Sequence, residues 1–293
     1  MTLALAWRSD GRIHLASDSR IKLSEKQYAD TGIKVISIPV VISGTELDQD
    51  GNLLLLFKNR YGFCYAGSLV NASTLRELLE EVLQSVQFVG NTNDLSFEII
   101  CNAVSKYCGK ISTELCKFLF EKGRYEFFFT GFCPKEQCLK AAHFVLLHQN
   151  GQATASYNRI LVYDGSFVAI GSGATVANSM LHNVCLNGML LTLNEIIDNQ
   201  LVESVAGDIQ YGTFSKGGDF KISGLRRISM ETALINDVQY GPDILNRYKY
   251  RGFQFLDNLN LDENPLWFAP TFFELEVPSN SESHEAYVNS LIL

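Results

Sequence analysis

The stretch MTLALAWRSDGRIHLASDSR, residues 1–20, decides how the rest of the chain is read. Strand-like apolar runs fill 2–8 and 12–18, and Ser9-Asp10-Gly11 lies between them. An Asp-Gly flanked by such runs is a strong short-range hairpin signal, because a tight turn needs positive φ at its centre. Side chains alternate across a strand, so Ile13 and Leu15 face one side and His14 the other. Chain ends usually fray in solvent, yet here a strand begins at Thr2.

Composition sets the outer bounds. At 293 residues the chain can be one large domain or two ordinary ones, and 46% hydrophobic residues support a sizeable core. A net charge of −8, with no run of lysine or arginine, argues against nucleic acid and anionic membrane as partners. The longest apolar stretches, such as LLLLF at 53–57, are too short to span a bilayer, and no signal peptide precedes Thr2. A cytoplasmic protein is expected. The 7 cysteines, odd in number and scattered, fit reduced, buried thiols better than a disulfide framework. Cys133 and Cys138 form a lone C-x4-C and the 5 histidines no HExxH, so a metal site is not expected.

Further strand patterns occupy 34–42, 52–58 and 61–66, with the polar GTELDQDGN at 44–52 as a turn. The period then changes. Leu75, Leu78, Leu79 and Val82 recur at helical spacing behind Thr74 and Glu77, a T-x-x-E capping box. A second helix fits 95–121, with Ile99, Ile100, Ala103, Val104 and Tyr107 on one stripe. Strands return at 125–132, 139–147, 153–163 and 167–170. A helix at 174–187, stopped by Gly188, precedes another opened by Thr192 and Glu195, which buries Ile197, Leu201, Val205 and Ile209. A last strand fits 219–228.

This order suggests an α+β fold, a four-layer αββα sandwich with two stacked, mainly antiparallel sheets between helix pairs. Residues 1–228 would form that domain, and 229–293 an extension. The aromatic segments NRYKYRGFQF and NPLWFAPTFFELEV of the extension are expected to pack on the core or on a neighbour, before a polar PSNSESHE stretch.

If Met1 is removed, Thr2 carries a hydroxyl and a free α-amine on adjacent atoms of one rigid strand. A threonine hydroxyl is a poor nucleophile until a base takes its proton, and a terminal amine can be that base. Such an amine titrates near about 7.7 to 8.0, and a nearby ammonium lowers that value. Lys34 is the candidate for the ammonium, and Asp18, ending the second strand, the candidate to hold it. Asp18 follows Thr2 by 16 residues and Lys34 by 32. Singly, each has a plainer reading: a small second residue, a strand-end aspartate satisfied by Ser19 or Arg20, a solvated lysine. Their spacing gives them weight together.

Those offsets, carried by TLALAWRSDGRIHLASDSR and GIKVISI with Arg20 after Asp18, resemble the proteasome β-subunit and HslV-like type of N-terminal nucleophile (Ntn) hydrolase. CYAGS at 64–68 is similar to that family's oxyanion glycine, which implies the role for Gly67. AIGSGATVA at 169–177 is similar to its G-S-G turn and implies that Ser172 bonds the terminal amine. ESVAGDIQYGT at 203–213 resembles the HslV-like AGDI segment and implies that Asp208 lies close to Ser172. Arg20, Ile21, Gly32 and Tyr65 are implied to bind substrate, Tyr65 at the first specificity pocket.

The resemblance covers about residues 2–228. It implies a threonine-type endopeptidase without cofactor, in which Thr2 attacks a carbonyl and forms an ester that water then hydrolyses. It also implies a ring or stacked homo-oligomer acting on peptides or unfolded proteins, and it admits an ATPase or unfoldase partner. Three features depart from the family: a longer stretch between Lys34 and Gly67, Tyr211 where a serine commonly follows the last aspartate by three, and the aromatic extension. An inactive structural or binding subunit of the same fold, and a small-molecule Ntn amidohydrolase, stay open as alternatives.

Overall fold

The N-terminal hairpin forms as its sequence requires. β1 (Leu3–Ser9) and β2 (Arg12–Ser17) pair antiparallel, and Asp10 and Gly11 between them take φ of 51° and 69°, the left-handed pair of a primed turn. The structure, a computed structural model, describes residues 2–24, 27–119, 123–149, 152–181, 183–229, 248–251 and 271–277.

Beyond the hairpin, β3 (Ile21–Lys22) and β4 (Tyr28–Ala29) make a small ladder. Long strands β5 (Val35–Leu47) and β6 (Leu53–Gly67) follow, then α1 (Leu69–Val82), β7 (Val86–Gln87) and α2 (Phe97–Leu119). Next come β8 (Tyr125–Cys133), β9 (Cys138–Gln149), β10 (Gln152–Ile160) and β11 (Phe167–Gly171). Helices α3 (Ala174–Met180) and α4 (Leu186–Asp198) lead to β12 (Gln210–Phe214) and β13 (Phe220–Ser229). β14 (Tyr248–Lys249) and β15 (Phe272–Val277) come last.

One sheet has the order β11-β1-β2-β12-β13-β14, with β15 also on β13; the other runs β10-β9-β8-β6-β5-β7. Among the described residues, β15 on β13 and β7 on β5 are parallel and the other pairs antiparallel. The result is a mixed α+β, sheet-rich fold.

The period-2 alternation of β1 explains how the apolar residues divide. Leu3, Leu5 and Trp7 join Leu190, Leu193 and Ile196 of α4 in one cluster. Ala4 and Ala6, pointing the other way, join Ile13, Leu15, Val35, Cys64 and Phe128 in a cluster drawn from both sheets. A third cluster sets Leu75 and Leu79 of α1 and Ile100 and Val104 of α2 against Ile38, Phe63 and Phe127 of the second sheet. His14, opposite Ile13 and Leu15 as expected, stacks on Trp7 at 5.0 Å and shares a 2.9 Å hydrogen bond with Tyr211.

Several elements differ from their expectation. Residues 44–47 continue β5, leaving a turn at 48–52, and 52–58 with 61–66 fuse into β6. α1 starts earlier than its supposed capping box: Ser68 is the N-cap, and Thr74 Oγ1 donates to Val70 O inside the helix. The stripe of α2 is rotated, with Ile99 and Tyr107 exposed and Cys101, Cys108 and Cys116 buried. The helix expected at 174–187 ends at Met180, and Gly188 sits in the first turn of α4, whose N-cap is Cys185. Thr192 also back-bonds, to Gly188 O, and Leu201 is exposed. Gln210–Phe214, unassigned from the sequence, is a central strand.

Of the 229–293 extension, β14 and β15 lengthen the first sheet, and Leu275 is fully buried in the α4 cluster. NPLWFAP, GFQF and PSNSESHE lie outside the described residues. No helix among the described residues is long and apolar enough to cross a membrane.

Candidate active site

The start of β1 and the end of β2 bring Thr2 and Asp18 to one end of the first sheet, since Ala4 pairs with Ser17. Leu3 N donates to Asp18 Oδ1 at 3.0 Å, and Arg20 N and Ala206 N donate to Oδ2 at 3.0 and 3.4 Å. Lys34 Nζ reaches the same Oδ1 at 2.9 Å. The pair is sealed, with side chains 0% and 1% exposed for Asp18 and Lys34. Burial pulls the Lys34 ammonium below its ordinary pKa and pushes the Asp18 carboxyl above its own, and each charge opposes the shift of the other. Three backbone N–H groups on the carboxylate keep Asp18 the acceptor of the pair.

Lys34 is placed by a residue that the motifs did not single out. Gln210 on β12 is buried, and its Oε1 accepts from Lys34 N at 2.9 Å and Val35 N at 3.2 Å. Its strand carried no sequence signal because the helical pattern seemed to run through Ile209.

Gly67 ends β6 at φ +112°, where a Cβ would stand 2.6 Å from the Arg124 carbonyl, so both conformation and space require glycine. Thr2, Lys34, Tyr65 and Gly67 line one pocket of about 560 Å³, together with Ile21 and Leu69 among others. Thr2 is 2% exposed. At the G-S-G turn, Gly171 has φ +89°, and a Cβ there would come 2.1 Å from the Thr2 carbonyl oxygen. That oxygen accepts from Gly173 N and Ser172 Oγ, both at 3.4 Å.

The structure therefore brings Thr2, Asp18, Lys34, Gly67 and Ser172 together. Asp208 does not join them: its carboxylate pairs with Lys249 at 2.9 Å and Arg227 at 3.6 Å, and its N–H donates to Ser19 Oγ. The hydroxyl beside Ser172 is Ser204, at 2.7 Å, which lies in the same ESVAGDIQYGT stretch but before the aspartate. Tyr211, at the position of the expected serine, bonds His14 instead. Of the residues implied for substrate, Ile21 and Tyr65 line the pocket. Arg20 turns to Asp30 at 2.7 Å and Glu203 O at 2.9 Å, and Gly32 packs under Ile21. Elsewhere, Glu98, Cys133 and Glu136 are close enough to share an ion, but the Lys140 ammonium already bridges the two carboxylates.

No family model matches the chain, and no curated protein matches it. Solved structures do. The helical assembly of the Anbu complex from Pseudomonas aeruginosa is similar at 14% identity and a TM-score of 0.50, over 72% of this chain and 80% of that one. Anbu (ancestral beta-subunit) from Yersinia bercovieri gives 14% identity and a TM-score of 0.49, over 72% and 81%. Anbu from Hyphomicrobium sp. strain MC1 gives 16% and 0.47, over 73% and 82%. The first of these likenesses shows a shared fold. It also corrects the family read from the motifs: these structures are Anbu proteins, a family distinct from the proteasome β-subunits and HslV.

Proposed function

We propose that the protein is a threonine-type peptidase that uses Thr2 as nucleophile after loss of Met1. The observation that carries this reading is the buried Asp18–Lys34 pair, 2.9 Å apart, whose lysine lines the same pocket as Thr2 and Gly67. Taking two charges out of water costs several kcal/mol per ion, so such a pair is poor support for stability and better support for a site.

In this reading the Lys34 ammonium disfavours the protonated Thr2 amine, which takes the hydroxyl proton as the oxygen attacks a peptide carbonyl. The Gly67 N–H stabilises the oxyanion, a contribution of about 3 kcal/mol for such donors. The amine returns the proton to the leaving nitrogen, leaving an ester on Thr2. Water, deprotonated by the same amine, cleaves the ester and restores the hydroxyl. Ser172, tied to Ser204, and Gly173 hold the Thr2 backbone, while Ile21 and Tyr65 contact the substrate.

The reading includes a four-layer arrangement of residues 1–228, which the three apolar clusters support, with the extension adding β14 and β15. It also includes homo-oligomerisation, supported by the helical assembly of the similar Pseudomonas aeruginosa complex. Hydrolysis of a fluorogenic peptide library tests the chemistry: Thr2→Ala is expected to fall to background while Thr2→Ser retains activity. Undiminished hydrolysis by Thr2→Ala would refute it.

A further inference from the structure

We propose that Glu126 is a positioning residue for the reaction at Thr2, tying the sheet that ends in Gly67 to the turn that holds Thr2. This rests on the peptidase reading above. The reacting groups are divided between two sheets, with the nucleophile at the start of β1 and the oxyanion glycine at the end of β6. A misplacement of about 1 Å between such groups can cost about 100-fold in rate, so something must fix the gap.

Glu126 stands where that gap is bridged. It lies on β8 opposite Ala66, next to the Gly67–Tyr125 pair. Its Oε1 accepts from the N–H of Gly171, which belongs to the other sheet and pairs with Leu3. Gly171 has no slack against Thr2, because a Cβ there would overlap the Thr2 carbonyl. A shift of the Gly171 amide is therefore a shift of Thr2.

The second oxygen of Glu126 accepts from His143 Nε2 at 3.0 Å, and the imidazole rests against Phe128 with ring centres 5.6 Å apart. Burial acts to raise the Glu126 pKa, but the bonds from His143 and Gly171 outweigh it and hold the carboxyl below its ordinary value. The acceptor is thus ionised at neutral pH, and charged acceptors make the stronger bonds to N–H. Glu126 is not among the residues lining the pocket, so it acts through Gly171 rather than on substrate.

Steady-state peptide hydrolysis by the full chain, with thermal unfolding as a check of folding, tests this. Glu126→Ala is expected to lower kcat about 100-fold with KM little changed. Glu126→Gln, whose amide oxygen can still accept from Gly171, is expected to recover most of that loss. Glu126→Asp, one methylene short, is expected to behave like alanine and covers the case in which alanine does not fold. Wild-type kcat in the alanine and aspartate variants, with Thr2→Ala inactive, overturns this proposal alone. So does an active aspartate variant beside an inactive glutamine one, or a loss confined to KM. Hydrolysis that survives Thr2→Ala, or its absence in the wild-type chain, overturns the peptidase reading and this one with it.

Discussion

Lys34 carries a charge into a buried position, and its removal should be felt in stability and in chemistry. Lys34→Met leaves the Asp18 carboxylate buried without its counter-charge, and a loss of about 3 kcal/mol in urea unfolding is expected, with hydrolysis at background. Adding Asp18→Asn removes the uncompensated charge and should restore part of the stability, although its single amide oxygen can replace only one of the two carboxylate oxygens that Leu3 and Arg20 bond, without restoring activity. Gly171→Ala should cost about 100-fold in hydrolysis, because its methyl displaces Thr2. At this scale much was legible in the sequence. Thr2 and Asp18 flank β1 and β2, whose pairing the hairpin signal settles, so their spacing along the chain becomes spacing in space; Lys34 comes just before β5 in the other sheet. Gln210, Ser204 and Glu126 were not legible, because each acts by bonding a distant segment, Gln210 and Glu126 its backbone and Ser204 the Ser172 hydroxyl, and a single glutamine, serine or glutamate leaves no local pattern.

Hairpins declared themselves and helix ends did not. Asp10-Gly11 can hardly do anything but turn. A T-x-x-E pair is weaker, since a threonine within a helix can equally bond the carbonyl four residues back, as Thr74 and Thr192 do. The cysteine face of α2 was hidden because Ile99 and Tyr107 outweighed Cys101 and Cys108 in apolar character, although free cysteine is among the most buried residues. β1, β2 and β12 meet at His14, which gives this scale its prediction. Burial holds its pKa at about 4, below the ordinary 6.5. Unfolding therefore takes up a proton when the pH is below 6.5: stability is full above that value, falls as pH drops, and levels off below about 4. The loss should be about 3 kcal/mol, and His14→Gln should flatten that acid limb in urea titrations even if it lowers the plateau.

Across the molecule, the extension supplies two strands to the first sheet. β15 joins β13 in parallel and places Leu275 in the α4 cluster, so Leu275→Ala should cost about 3 kcal/mol, as a core truncation does. The sequence hid this because a strand contributed from so far along the chain has no neighbour to form a hairpin with. The motif resemblance named a family that the solved structures correct, since short motifs sample a few positions while a solved structure is compared over the fold. Light scattering should give a mass that is a multiple of the 32.7 kDa chain if it assembles, and the mass of a single chain would remove the oligomer from the account. The most direct test of the central claim is the intact mass of the purified chain before and after treatment with a threonine-directed electrophile. The account predicts a chain that begins at Thr2 and gains one adduct, mapped to that residue and lost in Thr2→Ala. A retained Met1, or an adduct that forms equally well without the threonine, would contradict it.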